Sequence, residues 1–231
     1  MPRYRQEAAK VPAFVGDFEV HLTVRDDGDR GAAGALAVYA AAHHLKCIHI
    51  LLEQGDVPSQ PMLTLRRSGT YEEVRAEAAA RADGLRSAGF DVVRTKIEAA
   101  PWTTGVPGTD EEAARLGPNY YFEHHLKLLL ARSAPLDSLL DLVVGHGAHL
   151  SRNARRVRSD DRVERFVTQR CRMMGLTSAG QRLDALSGQL RAAGQCLAAI
   201  EQEFVVYDGN LAVDAGWLDG EYTTTGEGID S

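Results

Sequence analysis

Apolar and polar residues alternate from Phe18 to Val24, with Phe18, Val20, Leu22 and Val24 on one side and Glu19, His21 and Thr23 on the other. That is the period of a strand with one buried face. A glycine-rich turn over 28–34 leads to an alanine-rich helix over 35–46, and 47–53 is again strand-like. Residues 62–67 read as a third strand. Thr70 with Glu73 caps a helix through Ser87, and 91–98 alternates as a fourth strand.

The order then repeats. Strands are expected over 121–130, 148–153 and 165–170, with a helix over 136–144. A long helix is expected over 178–202, with Gly188 and Gly194 inside it, and a last strand over 203–208. Phe18, Glu19, His21 and Leu22 match Phe122, Glu123, His125 and Leu126, four identities in seven positions, the mark of a duplication. The same alignment sets His49 opposite His149, Thr64 opposite Thr168 and Arg66 opposite Arg170.

The expected class is α+β, with two tandem ferredoxin-like βαββαβ lobes related by a pseudo-two-fold. Residues 1–16 form an N-terminal extension and 17–99 the first lobe. Residues 100–118, with three prolines and three glycines, form a linker. Residues 119–209 form the second lobe and 210–231 a flexible tail. Helices cover one face of each sheet. The other faces carry His21, Thr23, His49, Thr64, Arg66 and Lys96 in the first lobe and His125, Lys127, His149, Ser151, Thr168 and Arg170 in the second. Brought together, these faces line a cleft of convergent polar groups.

Composition narrows the chemistry. A net charge of −6 over 231 residues argues against coating nucleic acid through overall charge, and aromatic residues are too sparse at 6% for a stacking platform. Glycine-rich nucleotide loops, a GxSxG elbow and a CxxC pair are all missing. Three scattered cysteines and apolar runs far shorter than the roughly 20 residues of a membrane span suggest a cytoplasmic chain without a membrane partner. The one basic stretch has eight arginines from Arg152 to Arg172, suited to phosphate or a partner.

Two such lobes with His21, Leu22, Thr23 as HxT and His149, Leu150, Ser151 as HxS resemble the two-histidine phosphoesterases, the superfamily of the bacterial RNA 2′,5′-ligase-like proteins. His49 and His125 have no hydroxyl two residues on. The resemblance implies a phosphodiesterase-like hydrolase in which His49 and His149, or His21 and His125, exchange protons on a phosphate ester, a nucleotide or an RNA end. Thr23, Thr64, Arg66, Lys96, Lys127, Ser151, Thr168 and Arg170 would hold the substrate, and no cofactor is required. Two alternatives stand beside it: a non-catalytic binding or scaffold protein using the basic loop, and a metal-dependent enzyme in which the histidines with Glu19 and Glu123 hold a divalent ion.

Overall fold

The computed structural model describes residues 13–26, 28, 31–53, 55–153 and 162–217. They form eight antiparallel strands and five helices, an α+β architecture. In chain order these are β1 (Val15–Val24), α1 (Ala32–Ala42), β2 (Lys46–Leu52), β3 (Ser59–Thr70), α2 (Tyr71–Ser87), β4 (Val92–Ala99) and α3 (Asp110–Leu116). Then come β5 (Tyr121–Ala131), α4 (Asp137–Gly145), β6 (Ala148–Asn153), β7 (Arg162–Arg172), α5 (Leu176–Ala192) and β8 (Leu197–Asp208), followed by a 3-10 turn, Leu211–Asp214.

The strands close into one barrel in the order β1-β3-β2-β6-β7-β5-β8-β4. Each half contributes four consecutive strands, β4-β1-β3-β2 and β8-β5-β7-β6, joined edge to edge at β2–β6 and β4–β8. Closure leaves none of the eight strands with an unpaired edge. It also corrects one expectation, because the polar faces line the inside of a continuous barrel rather than an open cleft between separate sheets.

Side-chain alternation explains why the barrel is polar inside. Phe18, Val20, Leu22 and Val24 point outward into a cluster with Leu36, Val74, Ala78 and Leu85 from α1 and α2. Leu126, Leu128 and Leu150 do the same with Val143, Leu186 and Leu190 from α4 and α5. The helices therefore take the apolar phase of the strands, and the opposite phase is left to the interior. Thr70 and Glu73 form the expected capping box at the start of α2.

Three boundaries differ from the sequence reading. Helix α5 stops at Ala192 and β8 begins at Leu197, so residues 197–202, expected to be helical, are strand. Gly194 adopts φ +74°, where only glycine turns without strain, and ends the helix there. The expected linker contains α3, capped by Thr109 with Glu112. Of the expected loose tail, residues 211–214 form a turn and both Asp214 and Trp217 are buried. Residues 154–161 of the basic stretch lie outside the described residues. No helix among the described residues is long and apolar enough to cross a membrane.

Candidate functional site

Strand register arranges the interior side chains in rows that repeat between the halves. In the first half Glu19 lies between Arg66 and Glu98, His21 between Thr64 and Lys96, and Thr23 between Met62 and Arg94. In the second half Glu123 lies between Arg170 and Glu203, His125 between Thr168 and Glu201, and Lys127 between Phe166 and Ala199. The repeat thus keeps the glutamate, histidine, threonine and arginine and adds a second matched glutamate, Glu98 with Glu203.

These rows surround a cavity of about 280 Å³. Of the expected site residues, His21, Thr23, Lys96, His125, Lys127, Ser151, Thr168 and Arg170 line it. Thr64 is buried beside it and bonds His21. The Arg66 side chain is 75% exposed and pairs with Glu19 at 2.9 Å, on the barrel's rim. His149 shares the interior phase of Ser151 and packs against the Trp217 ring, with centroids 5.7 Å apart. Burial, then the Arg170 charge, lowers its pKa.

His49 is not part of the cavity. Lys46, Ile48, Ile50 and Leu52 supply the inward phase of β2, and His49 points the other way. Its Nε2 lies 2.7 Å from Ser59 Oγ, which donates to Asp26. The expected equivalence of His49 with His149 fails for the same reason. His149 pairs with Thr168 as Lys46 pairs with Thr64, so Lys46 is the true counterpart, three residues earlier.

The histidines match at Nδ1, and each Nε2 faces a glutamate, although the two nearest glutamates are not counterparts in the repeat. His21 sets Nδ1 3.1 Å from Thr64 Oγ1 and Nε2 2.8 Å from Glu98. His125 sets Nδ1 3.2 Å from Thr168 Oγ1 and Nε2 3.2 Å from Glu123. Lys96 joins the two units, its ammonium 2.6 Å from Glu98 and in close contact with Glu123. An unbroken chain of polar contacts therefore runs His21, Glu98, Lys96, Glu123, His125.

Burial and charge oppose each other throughout this chain. Burial alone would raise Glu98 and Glu123, yet Lys96 leads the charges that hold both carboxyls below the usual range. Burial would likewise discharge Lys96, but Glu123 and Glu98 keep its pKa above normal. His125, disfavoured by burial as a cation, is raised to about 9 by its contact with Glu123. Glu203 has Nε2 of His125 at 3.6 Å, but burial and the Glu98 charge push its carboxyl up to about 8. The two shifts thus favour the protonated imidazole at His125 and the protonated carboxyl at Glu203.

Sequence reasoning missed Glu98, Glu201, Glu203 and Asp214 as site residues, whereas alternation puts Arg94 on the polar face where the structure has it. Glu98 stands in the same phase as Lys96 and was findable from the alternation of β4. Glu201 was hidden inside the overlong helix, Glu203 stood at the first position of the expected last strand, and Asp214 lay inside the expected tail.

Ligand atoms of Glu98, Glu123 and His125 all lie within 4.8 Å of one another, so among the described residues these three could hold a metal ion. The ammonium of Lys96 already lies against both carboxylates and would have to move aside. Away from the charged seam Ile48, Ile50, Leu52, Met62, Phe166 and Trp217 add apolar surface to the lining, interspersed with Lys46, Gln60, Ser151 and Asn153. A ligand that fills the cavity therefore meets hydrocarbon and rings as well as charge.

No family model and no curated protein matches the chain. Among solved structures it is similar to the ligand-free regulatory subunit of aspartate kinase from Thermus thermophilus. That similarity has 16% identity and a TM-score of 0.30, over 78% of this chain and 98% of that one. A likeness at that level carries no argument about fold family, ligand or role.

Proposed function

We propose that the protein is an enzyme that takes a phosphate ester, a nucleotide or an RNA end into the barrel and acts on it by general acid–base chemistry at His21 and His125. In this reading the two halves are tandem ferredoxin-like lobes, and the pseudo-two-fold between them generates the pair of histidines. The observation that carries the proposal is the repeated pair of imidazole and threonine hydroxyl, each with a glutamate at Nε2, on the wall of one cavity. Buried ion networks of this kind are weak sources of stability and frequent at functional sites.

Electrostatics assign the role of His125, and the role of His21 is the complementary one that its geometry allows. His125, an imidazolium at neutral pH, donates a proton to the leaving oxygen, and His21, oriented by Thr64 and Glu98, accepts one from the attacking group. A substrate oxygen replaces one carboxylate contact at each Nε2. Lys127 and Ser151 face the cavity where they can contact the ester. His49 has no part in this scheme.

Turnover of a panel of 2′,3′-cyclic and linear phosphodiesters and phosphomonoesters tests the reading. The wild type is expected to turn over at least one, and His125→Ala or His21→Ala to fold but lose about 10²- to 10⁴-fold in rate. An inert wild type, or a double alanine variant with undiminished rate, would falsify it.

One observation favours a second, metal-dependent reading: the convergence of Glu98, Glu123 and His125. Elemental analysis of purified protein decides between them, since this reading requires stoichiometric metal that is lost in Glu123→Gln.

A further inference from the structure

One end of the barrel is closed by the chain that follows β8. Trp217 donates its indole N–H to the carbonyl of Leu150 at 3.3 Å and packs with Leu52 and Ile50. The Asp56 amide, in the β2–β3 loop, donates to the Ala215 carbonyl at 2.9 Å. Asp214, only 3% exposed, is carried inward by this segment.

Three strands drawn from both halves receive that carboxylate. Arg94 of β4 donates through Nη1 to Oδ1 at 3.2 Å, and its Nη2 lies 3.0 Å from Oδ2. Arg170 of β7 donates to Oδ2 at 2.6 Å, and Gln60 of β3 donates to Oδ1 at 3.2 Å. All three side chains are buried. Four donors from two guanidinium groups and an amide, converging on two oxygens, form the geometry that recognises a carboxylate or phosphate.

Each arginine also has a carboxylate partner on a strand, besides Asp214. Arg94 forms a two-pronged pair with Asp208, at 2.9 and 2.5 Å, and Arg170 donates to Glu123 at 2.6 Å. The remaining N–H groups of both are turned to a common point that no strand residue fills. The occupant comes instead from a short segment outside the sheet, and the site opens on the same cavity, which Gln60, Arg94, Arg170 and Asp214 all line.

We propose that Gln60, Arg94 and Arg170 form an anion-binding subsite of the cavity, for a carboxylate or phosphate group of a ligand, and that Asp214 is its exchangeable internal occupant. The proposal does not depend on the acid–base reading, because neither His21 nor His125 touches Asp214. Six carboxylic acids and five lysines or arginines line the cavity, so no strong positive field draws anions in, and a built subsite is what selects them. A tethered carboxylate competes at an effective concentration on the order of millimolar. A ligand that also contacts the cavity walls outcompetes it, and the Asp214–Trp217 segment then swings away from the mouth.

Thermal unfolding of full-length Asp214→Ala and Asp214→Asn, in formate, in inorganic phosphate and in chloride at matched ionic strength, tests this. Alanine vacates the subsite and asparagine fills it. Asp214→Ala is expected to be stabilised by formate or phosphate at a concentration about tenfold or more below that needed for wild type. Asp214→Asn should gain nothing beyond chloride. A stronger response to formate assigns the subsite to carboxylates, and a stronger response to phosphate assigns it to phosphorylated ligands. Adding Arg170→Met to the alanine variant should abolish the gain. An alanine variant that stays unfolded in every anion, or that gains no more than the asparagine variant, overturns the proposal.

Discussion

Glu203 shows how a single residue can link the cavity to pH. Its side chain is 18% exposed, and burial with the Glu98 charge raises it from the ordinary 4.5 to about 8. A raised folded-state pKa means a contribution that is complete below the unfolded value and is lost as pH rises through the folded one. Wild-type stability should therefore fall between about pH 4.5 and 8 on account of this group. His125, raised from 6.5 to about 9, adds a loss in the same direction at higher pH. Glu203→Gln keeps the neutral shape, so it should match wild type near the acid end of that window. Above its upper end the variant should exceed wild type by more than about 1 kcal/mol, roughly the worth of one pKa unit. Urea unfolding at both ends measures this, and a difference that does not change with pH refutes it. Such residues were only partly legible in the sequence. Strict alternation placed His21, Thr23, Lys96, His125 and Thr168 on one face, because period two depends on local geometry alone. His49 was misplaced because β2 is apolar on both sides, Ile48 and Ile50 inside and Cys47 outside, and its alternation gives no phase.

Elements meet through backbone contacts that no hydropathy pattern records. Helix α3 docks on the start of α5: the Gly175 amide donates to Asp110 at 2.8 Å, Ser178 to the same carboxylate at 3.0 Å, and Leu176 to the Pro107 carbonyl at 2.9 Å. A Cβ on Gly175 would lie 2.3 Å from the Thr109 carbonyl carbon, although its φ of −79° suits any residue. Gly175→Ala should therefore cost about 1–3 kcal/mol by overpacking. Gly180→Ala, inside α5 where a Cβ meets nothing within 4 Å, should instead stabilise by about 0.5–1 kcal/mol. Chemical denaturation of the two variants provides the comparison, and equal effects would remove the docking argument. The strand and helix order was readable because each element carries its own period and caps. Helix α3 escaped because prolines and glycines flank only seven residues, yet the Thr109 and Glu112 box that starts it stood in the sequence.

The barrel as a whole depends on pairings between residues far apart in the chain, and so its closure was not legible. Alternation fixes which face is polar but not whether two such faces meet across a gap or share hydrogen bonds along their edges. In the structure the halves share more than edges. The larger core cluster joins Phe14, Phe18, Val20 and Leu22 with Phe122, Cys171, Ala179 and Phe204 from the second half. Phe204 sits 4.8 Å from Phe122 and 6.0 Å from Phe14, ring centre to ring centre, so one side chain of β8 ties the outer layers together. A half released from the other would expose this cluster and two strand edges at once, which leaves no stable state with one half unfolded. Scanning calorimetry should therefore show a single transition in which the measured enthalpy equals the van't Hoff value. Phe204→Ala, expected to cost about 3–5 kcal/mol, should move that transition down without splitting it. Two resolved transitions in either protein would mean that the halves are separate folding units, and the shared cavity would then be a docking surface rather than the interior of one barrel.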